Sequence, residues 1–216
     1  MIAELASDDD REEAFKIANN WRSAHAYPSF AFYNTLRNRS QRIYASATVV
    51  RRIKRLASIQ KKLTRFGAMA LSQMQDIGGC RTVVLTVPQV RAVRNLYVGR
   101  GHRRFQHEFV DEDDYIAQPQ RSGYRAIHLI YKYMSDKFNQ VAYCGQRIEL
   151  QIRSRPQHSW AAAVETVDAF TRQSLKSSQG SETLASFLLT YGISHRPSGR
   201  DDPGSKHAHK WRRIEI

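Results

Sequence analysis

The sequence lacks features that would place it in several common classes of protein. None of its 216 residues belongs to an apolar run approaching the roughly 18 residues of a membrane-spanning helix. Its amino terminus, acidic up to Glu13, lacks the basic and then apolar pattern of a signal peptide. Only two cysteines occur, Cys80 and Cys144, which excludes a disulfide framework and argues against a zinc site. We therefore expect a cytoplasmic protein with no membrane partner.

The common nucleotide-binding glycine motifs are also missing. The chain contains neither the P-loop pattern Gly-x-x-x-x-Gly-Lys-Ser/Thr nor the dinucleotide pattern Gly-x-Gly-x-x-Gly. Any nucleotide phosphates must therefore be held by cationic side chains. A metal site in the carboxyl-terminal tail is disfavoured, because His195, His207 and His209 have no carboxylate or thiol cluster beside them.

Acidic residues are absent from one long segment. The net charge is +14, and no Asp or Glu occurs between Glu13 and Asp76. So many unbalanced cations repel one another, which favours a polyanionic partner, although a solvated basic surface is the simpler alternative. The cations of this segment from residue 21 onward are Arg22, Arg37, Arg39, Arg42, Arg51, Arg52, Lys54, Arg55, Lys61, Lys62 and Arg65.

The amino-terminal part of the chain reads as helical. We expect helices at Asp8–Trp21, at Phe30–Asn38 after Pro28, and from about Gln41 to Thr64, where apolar residues recur at helical spacing. On the last helix, positions 54, 58 and 62 are four residues apart and would point the same way. The pattern predicts a cationic ridge made of Lys54, Ser58 and Lys62.

The remainder alternates between strand and helix patterns. Strands are predicted at 80–86, 125–134 and 146–153, a weaker strand followed by an acidic turn within 102–116, and helices at 88–97 and 158–174. A short apolar segment at 184–191 and a basic tail follow. We divide the chain into an amino-terminal helical segment (1–40), a core (41–175), and a short helix with the tail (176–216).

The predicted strand at 146–153 carries a polar face. Ile148, Leu150 and Ile152 alternate with Arg147, Glu149, Gln151 and Arg153. The polar face is costly to bury, so we expect it to line a cleft or meet solvent. Two carboxylates, Asp76 and Glu149, with several cations are suited to binding Mg²⁺ and phosphates for phosphoryl-type transfer. A turn cap at Asp76 and an ion pair from Glu149 to Arg147 or Arg153 are the structural alternatives.

Four blocks of residues together resemble the synthetase domain of the RelA/SpoT family. The resemblance implies transfer of the β,γ-pyrophosphate of ATP to a 3′-hydroxyl, usually of GDP or GTP. It also implies an α/β (α+β) fold with a nucleotidyltransferase-like mixed β-sheet flanked by helices, to which we add amino-terminal helices and a flexible basic carboxyl-terminal tail. The blocks are Arg52-x-Lys54-x-x-x-Ser58-Ile59-x-x-Lys62, Asp76-Ile-Gly-Gly-Cys-Arg81, Gly123-Tyr124-Arg125-x-x-His128 and Glu149-x-Gln151-Ile152-Arg153.

The resemblance assigns roles to these residues. It implies that Asp76 and Glu149 hold Mg²⁺, with Glu149 also the general base. It implies that Tyr124 stacks on the acceptor base, where burial as a core aromatic is the alternative. ATP is expected to contact Arg52, Lys54, Ser58, Lys62 and Arg81, and the acceptor Ser122, Tyr124, His128, Gln151 and Arg153.

Two features separate the chain from typical family members. The usual Pro-Lys-x-Asn before Gly-Tyr is Pro119-Gln120-Arg121-Ser122 here, which weakens the expectation of a free GDP or GTP acceptor. Arg121 is the neighbouring cation that would replace the Lys. The stretch from Asn20 to Pro28 resembles toxic small synthetases of phage and toxin–antitoxin loci, several of which modify the 3′ CCA end of tRNA.

Three functions follow as hypotheses. The first is a toxin that pyrophosphorylates the tRNA 3′ adenosine, blocks aminoacylation and translation, and has a cognate antitoxin; no DNA partner is expected. The second is a small alarmone synthetase acting on GDP, GTP or adenosine nucleotides, and the third is an inactive RNA-binding relative. The cations beyond those expected at ATP favour the first hypothesis. They are Arg37, Arg39, Arg42 and Arg121, with those of the tail.

Overall fold

A computed structural model describes residues 7–98, 105–120 and 122–171, except the side chains of 168–171. Arg121, the apolar segment at 184–191 and the basic tail lie outside this part. Within it, no helix is long and apolar enough to cross a membrane. The helices are α1 (Asp8–Ala24), α2 (Ala26–Ile43), α3 (Leu56–Arg65), α4 (Val87–Val98) and α5 (Arg155–Thr171). The strands are β1 (Thr48–Ile53), β2 (Gly78–Val84), β3 (Glu108–Asp114), β4 (Ile127–Lys132) and β5 (Arg147–Ser154).

The five strands form one mixed sheet in the order β1-β2-β5-β4-β3. Strands β2 and β5 pair in parallel, and the other three pairings are antiparallel. A parallel pair needs a long crossover connection, and here it is the chain from α4 to β4. The expectation of a mixed sheet flanked by helices is confirmed.

One face of the sheet is covered by α2 and α4. Phe32 and Leu36 of α2 and Val90 of α4 are fully buried, together with Leu129 and Leu150 of the sheet. Each such side chain contributes about 1.5–3 kcal/mol relative to exposure. This apolar layer is the main core of the domain.

Helix α2 approaches the sheet closely at Gly78. A Cβ at this position would lie 2.5 Å from Ser29 Oγ and 2.8 Å from Ile148 Cδ1, so a larger residue would push α2 away. Pro28 lies in the first turn of α2, where its missing N–H breaks no helical hydrogen bond. The predicted short helix after Pro28 is therefore part of a longer one.

The predicted helix from Gln41 to Thr64 is wrong over its middle. The chain leaves α2 at Ile43, forms β1, and becomes helical again only at Leu56. β1 pairs with β2 from Thr48↔Val83 to Ile53↔Gly78. The apolar periodicity came from two elements: β-branched residues of an edge strand and the single buried stripe of α3.

The acidic run at 111–114 was predicted as a turn and is a strand. It pairs with β4, from Asp111↔Ile130 to Asp114↔Ile127. Two of its carboxylates are neutralised from α4: Arg94 binds Glu112 through both Nε and Nη2, and Arg91 binds Asp114. These ion pairs make an acidic strand compatible with a packed sheet edge.

Candidate active site

Polar side chains lie on the sheet face opposite α2 and α4. Because facing partners share a side of the sheet, the strand register aligns one polar residue from each of four strands. Gly79 of β2 is the register partner of Glu149 of β5, and this pair lies on the same face, next to the row of four polar residues. A Cβ at Gly79 would lie 3.9 Å from Glu149 Oε2, so glycine leaves this carboxylate uncovered from that side. The row is Asp113 (β3), His128 (β4), Gln151 (β5) and Arg81 (β2).

Asp76, two residues before β2, is held by two lysines. Lys54 Nζ donates to Oδ2 at 2.5 Å and Lys62 Nζ to Oδ1 at 2.9 Å. Lys54 is fixed by its own backbone, since its N–H donates to Ile77 O and its carbonyl accepts from Arg22 Nε at 2.9 Å. Burial opposes the charged form of Asp76, but the lysines outweigh it and hold the pKa of this carboxyl below its usual value.

The expected cationic ridge therefore exists, but it is not formed by one helix. Lys54 follows β1, whereas Lys62 lies on α3, and the two meet at Asp76. Ser58 is exposed one turn before Lys62, and Arg52 is exposed on β1, in register with Gly79. Of the residues predicted to bind ATP, Lys54 and Lys62 converge on Asp76, whereas Arg81 hydrogen-bonds to Gln151.

Glu149 is held by neighbouring polar groups rather than by the arginines of its own strand. His128 Nδ1 lies 2.9 Å from Oε1, and Gln151 Nε2 donates to Oε2 at 2.7 Å. Arg147 instead donates to Gln73 O. Burial opposes the charge of Glu149, whose side chain is 13% exposed, but His128 and Gln151 outweigh it and keep the pKa of Glu149 below its usual value. The carboxylate is thus ionised at neutral pH and able to accept a proton.

The hydrogen bonds around Glu149 close into a ring. From His128 the ring continues through Nε2 to Tyr124 OH at 2.7 Å, and Arg153 Nη2 donates to the same hydroxyl. Arg153 Nη2 also donates to Gln151 Oε1 at 2.8 Å, which returns the ring to Glu149. Arg81 Nε donates to Gln151 Oε1 from outside. The ring fixes the orientation of the Glu149 carboxylate.

Two side chains of this ring are more buried than the sequence suggested. Tyr124 is 4% exposed and packs with Trp160 and Val164 of α5, so its position is that of a core aromatic. The expectation that Arg153 would meet a cleft or solvent is wrong: it is 1% exposed, with its guanidinium 4.8 Å from the Tyr124 ring centroid. Its Nη2 donates two hydrogen bonds and its plane lies over the Tyr124 ring, which replaces part of the water that an exposed guanidinium would bind, while its Nε is buried without a partner.

Three of the four residues predicted to bind tRNA lie in the described part of the chain, and these three do not gather at this site. Arg37 and Arg42 are exposed on α2, across the sheet from Glu149. Arg39 is engaged within the protein, since it donates to Leu96 O at 2.8 Å and lies over the Tyr97 ring. We therefore remove Arg39 from the predicted tRNA-binding set. Ser122 is buried beside Gly123, and Arg121 lies outside the described residues.

Sequence reasoning missed two residues on this face, Asp113 and Tyr115. Asp113 is the register partner of His128 and hydrogen-bonds to the Tyr115 hydroxyl. The Tyr115 ring contacts the His128 ring edge-on, with centroids 5.2 Å apart. Burial raises the pKa of Asp113 above its usual value. The acidic run masked the strand alternation that would have placed Asp113 on the site face.

The carboxylates suit a hard divalent cation. Asp76 and Glu149 are both ionised. They lie close enough together for the charge of Asp76 to oppose, without reversing, the lowering of the Glu149 pKa. The part of the chain described by the structure contains no group of three or more His, Cys, Asp or Glu suited to a metal. Mg²⁺ typically binds one or two carboxylates and completes its shell with water and substrate phosphates. Asp76 and Glu149 are the residues that would hold such an ion.

Comparison with protein families identifies the region that contains this site. Residues 51–169 match the family model described as the region found in RelA / SpoT proteins, which is more than half of the chain. This chain belongs to the RelA/SpoT family. The matched RelA/SpoT region contains Lys54, Lys62, Asp76, His128 and Glu149.

Two characterised relatives come from Bacillus subtilis strain 168. The chain is 31% identical over 115 residues to the GTP pyrophosphokinase YjbM and 31% identical over 119 residues to the GTP pyrophosphokinase YwaC. The alignments cover 52% and 51% of this chain and 52% of each relative. The chain thus spans about half the length of the curated relatives it matches.

Solved structures extend the likeness in fold. Small alarmone synthetase 1 from B. subtilis bound to its product pppGpp has a TM-score of 0.67 at 23% identity, covering 83% of this chain and 91% of that one. A GTP pyrophosphokinase family protein from Streptococcus pneumoniae has a TM-score of 0.63 at 22% identity, covering 82% and 86%. At these identities the likeness establishes the shared fold.

Proposed function

We propose that this chain is an ATP-dependent pyrophosphokinase whose acceptor is the 3′-hydroxyl of a guanosine 5′-phosphate. The observation that supports it is one sheet face with a lysine pair at Asp76 and an ionised, hydrogen-bonded Glu149, within a RelA/SpoT region. The acceptor 3′-oxygen attacks the β-phosphorus of ATP, and the bond between that phosphorus and the α,β-bridging oxygen breaks. AMP leaves with that oxygen, and the hydroxyl proton passes to Glu149.

The donor side binds ATP through charge. Lys54 and Lys62 turn from Asp76 toward the ATP phosphates, joined by Arg52 and by the Ser58 hydroxyl, while Arg81 lies beside the adenine. Asp76 and Glu149 would hold Mg²⁺, which neutralises phosphate charge when bound. Preorganised cations favour the extra charge that develops on the transferred group.

The acceptor side orients the hydroxyl and its base. The ring through His128, Tyr124, Arg153 and Gln151 aims the Glu149 carboxylate, because each of its oxygens already accepts a hydrogen bond on one side. Tyr124 acts here as a supporting residue in the conformation observed. Stacking on the acceptor base would require its ring to leave the Trp160 contact. Ser122 precedes Gly123, which has a φ of 79° and lies in the turn that leads to β4.

The guanosine acceptor is supported by the relatives, which are GTP pyrophosphokinases. A second candidate is the tRNA 3′ CCA end, which would make the protein a translation-blocking toxin with a cognate antitoxin. The observation favouring it is the net charge of +14, with exposed Arg37 and Arg42 outside the site, and Arg121 as a further candidate. An inactive RNA-binding relative is disfavoured by the intact arrangement at Asp76 and Glu149.

A single labelling experiment decides between the acceptors. The protein is incubated with γ-labelled ATP and Mg²⁺ and with GDP, GTP or deacylated tRNA in separate reactions. We expect label in the guanosine nucleotide. Label in tRNA would select the second candidate, and label in none of the three would contradict the pyrophosphokinase assignment. The Glu149→Gln variant controls for transfer by a contaminating enzyme.

A further inference from the structure

Helix α1 reaches the candidate site from outside the family region. Residues 51–169 match the family model, whereas α1 ends at Ala24. In the last turn of α1, Arg22 Nε donates a hydrogen bond of 2.9 Å to the carbonyl oxygen of Lys54, a residue 32 positions away in the chain. One side chain of α1 therefore contacts the backbone of a residue that we assign to ATP binding.

Lys54 lies in a short connection between two elements. Strand β1 ends at Ile53, and α3 begins at Leu56. The Lys54 N–H donates to Ile77 O at 2.8 Å, just before β2. In the described part of the chain, no backbone N–H donates to the Lys54 carbonyl, so Arg22 supplies its hydrogen bond. The peptide backbone at Lys54 is thus held at its N–H by Ile77 and at its carbonyl by Arg22.

Arg22 has no competing ionic role among the residues that the structure describes. No carboxylate there lies within ion-pair distance of it, whereas Lys16 of the same helix pairs with Glu12 at 2.8 Å. The Arg22 side chain is half-buried. A hydrogen bond from a charged donor is stronger than a neutral one, and partial shielding from water strengthens it further. The guanidinium is therefore committed to the Lys54 carbonyl.

The end of α1 that carries Arg22 is anchored beside α3. Trp21 packs on a buried cluster that contains Ile59 of α3, Met74 and Ile77. The Trp21 carbonyl lies 2.8 Å from Nδ1 of His25, whose side chain is 1% exposed. These contacts fix the last turn of the helix. Arg22 consequently approaches Lys54 from a defined position.

The contact matters because the Lys54 side chain has to change partner. Its Nζ donates to Asp76 Oδ2 at 2.5 Å, and in the proposed function the same ammonium group turns toward the ATP phosphates. A long side chain keeps its aim through this change only if its backbone stays in place, since a small misplacement of a binding group is costly. Arg22 bonds to the peptide group, so its hydrogen bond is compatible with both arrangements of the side chain.

We propose that Arg22 is a positioning residue of the donor side, which holds the backbone of Lys54 so that the lysine ammonium group meets the ATP phosphates. This inference deepens the proposed function and rests on it. Arg22 acts through Lys54 and does not itself contact ATP. A helix outside the RelA/SpoT region thereby contributes to ATP binding.

A double-mutant cycle tests whether Arg22 acts through Lys54. The KM for ATP is measured by labelled transfer in the wild type, Arg22→Gln, Lys54→Met and the double variant. We expect Arg22→Gln to raise this KM on the order of tenfold, the scale of one hydrogen bond to a charged group, and to leave the acceptor KM unchanged. Once Lys54 is replaced, Arg22→Gln should have no further effect. Additive effects, as from direct contact of Arg22 with ATP, would overturn the inference.

Two further variants separate positioning from a general effect on α1. Arg22→Lys keeps a charged donor and should restore part of the lost ATP affinity. The matched control, Lys16→Met, removes an exposed cation from the same helix and should leave the KM for ATP as it is. Urea denaturation shows which variants are folded under the assay conditions. If Arg22→Gln does not fold, the same cycle with Arg22→Lys decides.

Equilibrium binding distinguishes failure of this inference from failure of the proposed function. Binding of a non-hydrolysable ATP analogue is measured with Mg²⁺ present, so no turnover is needed. Binding that follows the cycle, without transfer to any acceptor, would overturn the pyrophosphokinase and retain the role of Arg22. Transfer with equal affinity for the analogue in the wild type and Arg22→Gln would overturn the role of Arg22 and retain the pyrophosphokinase. Absence of both binding and transfer would overturn both.

Discussion

The two faces of β5 are buried by different means. Ile148, Leu150 and Ile152 have no exposed surface and belong to the apolar layer under α2 and α4. On the other face, Glu149 and Arg153 are also largely buried, but hydrogen bonds and a ring contact with neighbouring polar groups hold them there. Burial alone therefore does not distinguish a core residue from a residue of the candidate site.

The difference lies in what each face tolerates. The apolar face needs volume and shape, because its energy comes from surface removed from water. The polar face needs complete pairing, because a buried polar group left without a partner is costly. Neighbouring substitutions on β5 should therefore separate chemistry from stability. The predictions below test this separation, from the largest expected effect to the smallest.

Glu149→Gln should remove the chemistry and spare the fold. The amide cannot accept the hydroxyl proton, so kcat should fall on the order of a thousandfold, the usual scale for a general base. The volume and most hydrogen bonds remain, and circular dichroism should be unchanged. Labelled transfer from ATP gives the rate. Activity within tenfold of the wild type would refute the assignment of Glu149.

Leu150→Ala, one residue further along, should do the reverse. The cavity left in the main core should lower the free energy of unfolding by about 3 kcal/mol. Transfer per folded molecule should change less than twofold at low temperature, because Leu150 points away from Glu149. Urea denaturation measures the first and the labelling assay the second. The matched control, Val50→Ala on the edge strand, is 48% exposed and should cost far less.

A histidine packed against the apolar layer, His107, sets a pH limit on stability. It is 8% exposed, accepts a hydrogen bond from Met134 N, and stacks on Phe32. Burial lowers the pKa of His107 to about 4. In the unfolded chain, His107 takes up a proton near pH 6.5, whereas the folded protein keeps it neutral down to about pH 4. The contribution of neutral His107 to the free energy of unfolding is therefore complete above pH 6.5 and is lost as the pH falls toward 4.

Urea midpoints measured between pH 7 and 4 check this loss. The contribution of His107 should be on the order of 2 kcal/mol. His107→Gln, which keeps an acceptor for Met134 N but does not titrate, should flatten the profile. An identical slope in the wild type and the variant would show that other groups carry the pH dependence.

Lys62→Met should have the smallest effect and should be confined to ATP. Loss of one of the two cations at Asp76 should raise the KM for ATP about tenfold, in line with one charge-assisted contact. The acceptor KM should not change. Lys61→Met, which removes an exposed cation from the adjacent position of α3, is the control and should leave both KM values as they are. Equal effects of the two variants would indicate general electrostatics rather than a specific contact.

Much of this site was predictable because its signals are local. The alternation in β5 placed Glu149 and Gln151 on one face, and the four blocks named the residues that bring Asp76, His128 and Glu149 into one region. Helix α4 was also predicted correctly, since Pro88 and the apolar periodicity lie within one element. The predicted helix was wrong at β1. The spacing of the apolar residues there is compatible with a helix, but the branched side chains of Val49 and Val50 favour a strand.

Other features depended on contacts between distant segments. Tyr124 is buried because α5 brings Trp160 over it, and Arg39 is partly buried because it donates to Leu96 O of α4. Asp113 faces the site only because the register of β3 with β4 pairs it with His128. No pattern near these residues carries that information.

The sequence by itself determined the chemistry available to this protein: a segment of cations without acids, two separated carboxylates, and the residue blocks of a RelA/SpoT region. These properties depend only on residue type and on short-range spacing along the chain. The tertiary structure alone decided which cations meet Asp76, which groups hold Glu149, and which aspartate of β3 lies beside His128. The physical reason is that strand pairing and helix packing join residues far apart in the chain, and a shift of register by one residue would turn every side chain of a strand to the other face.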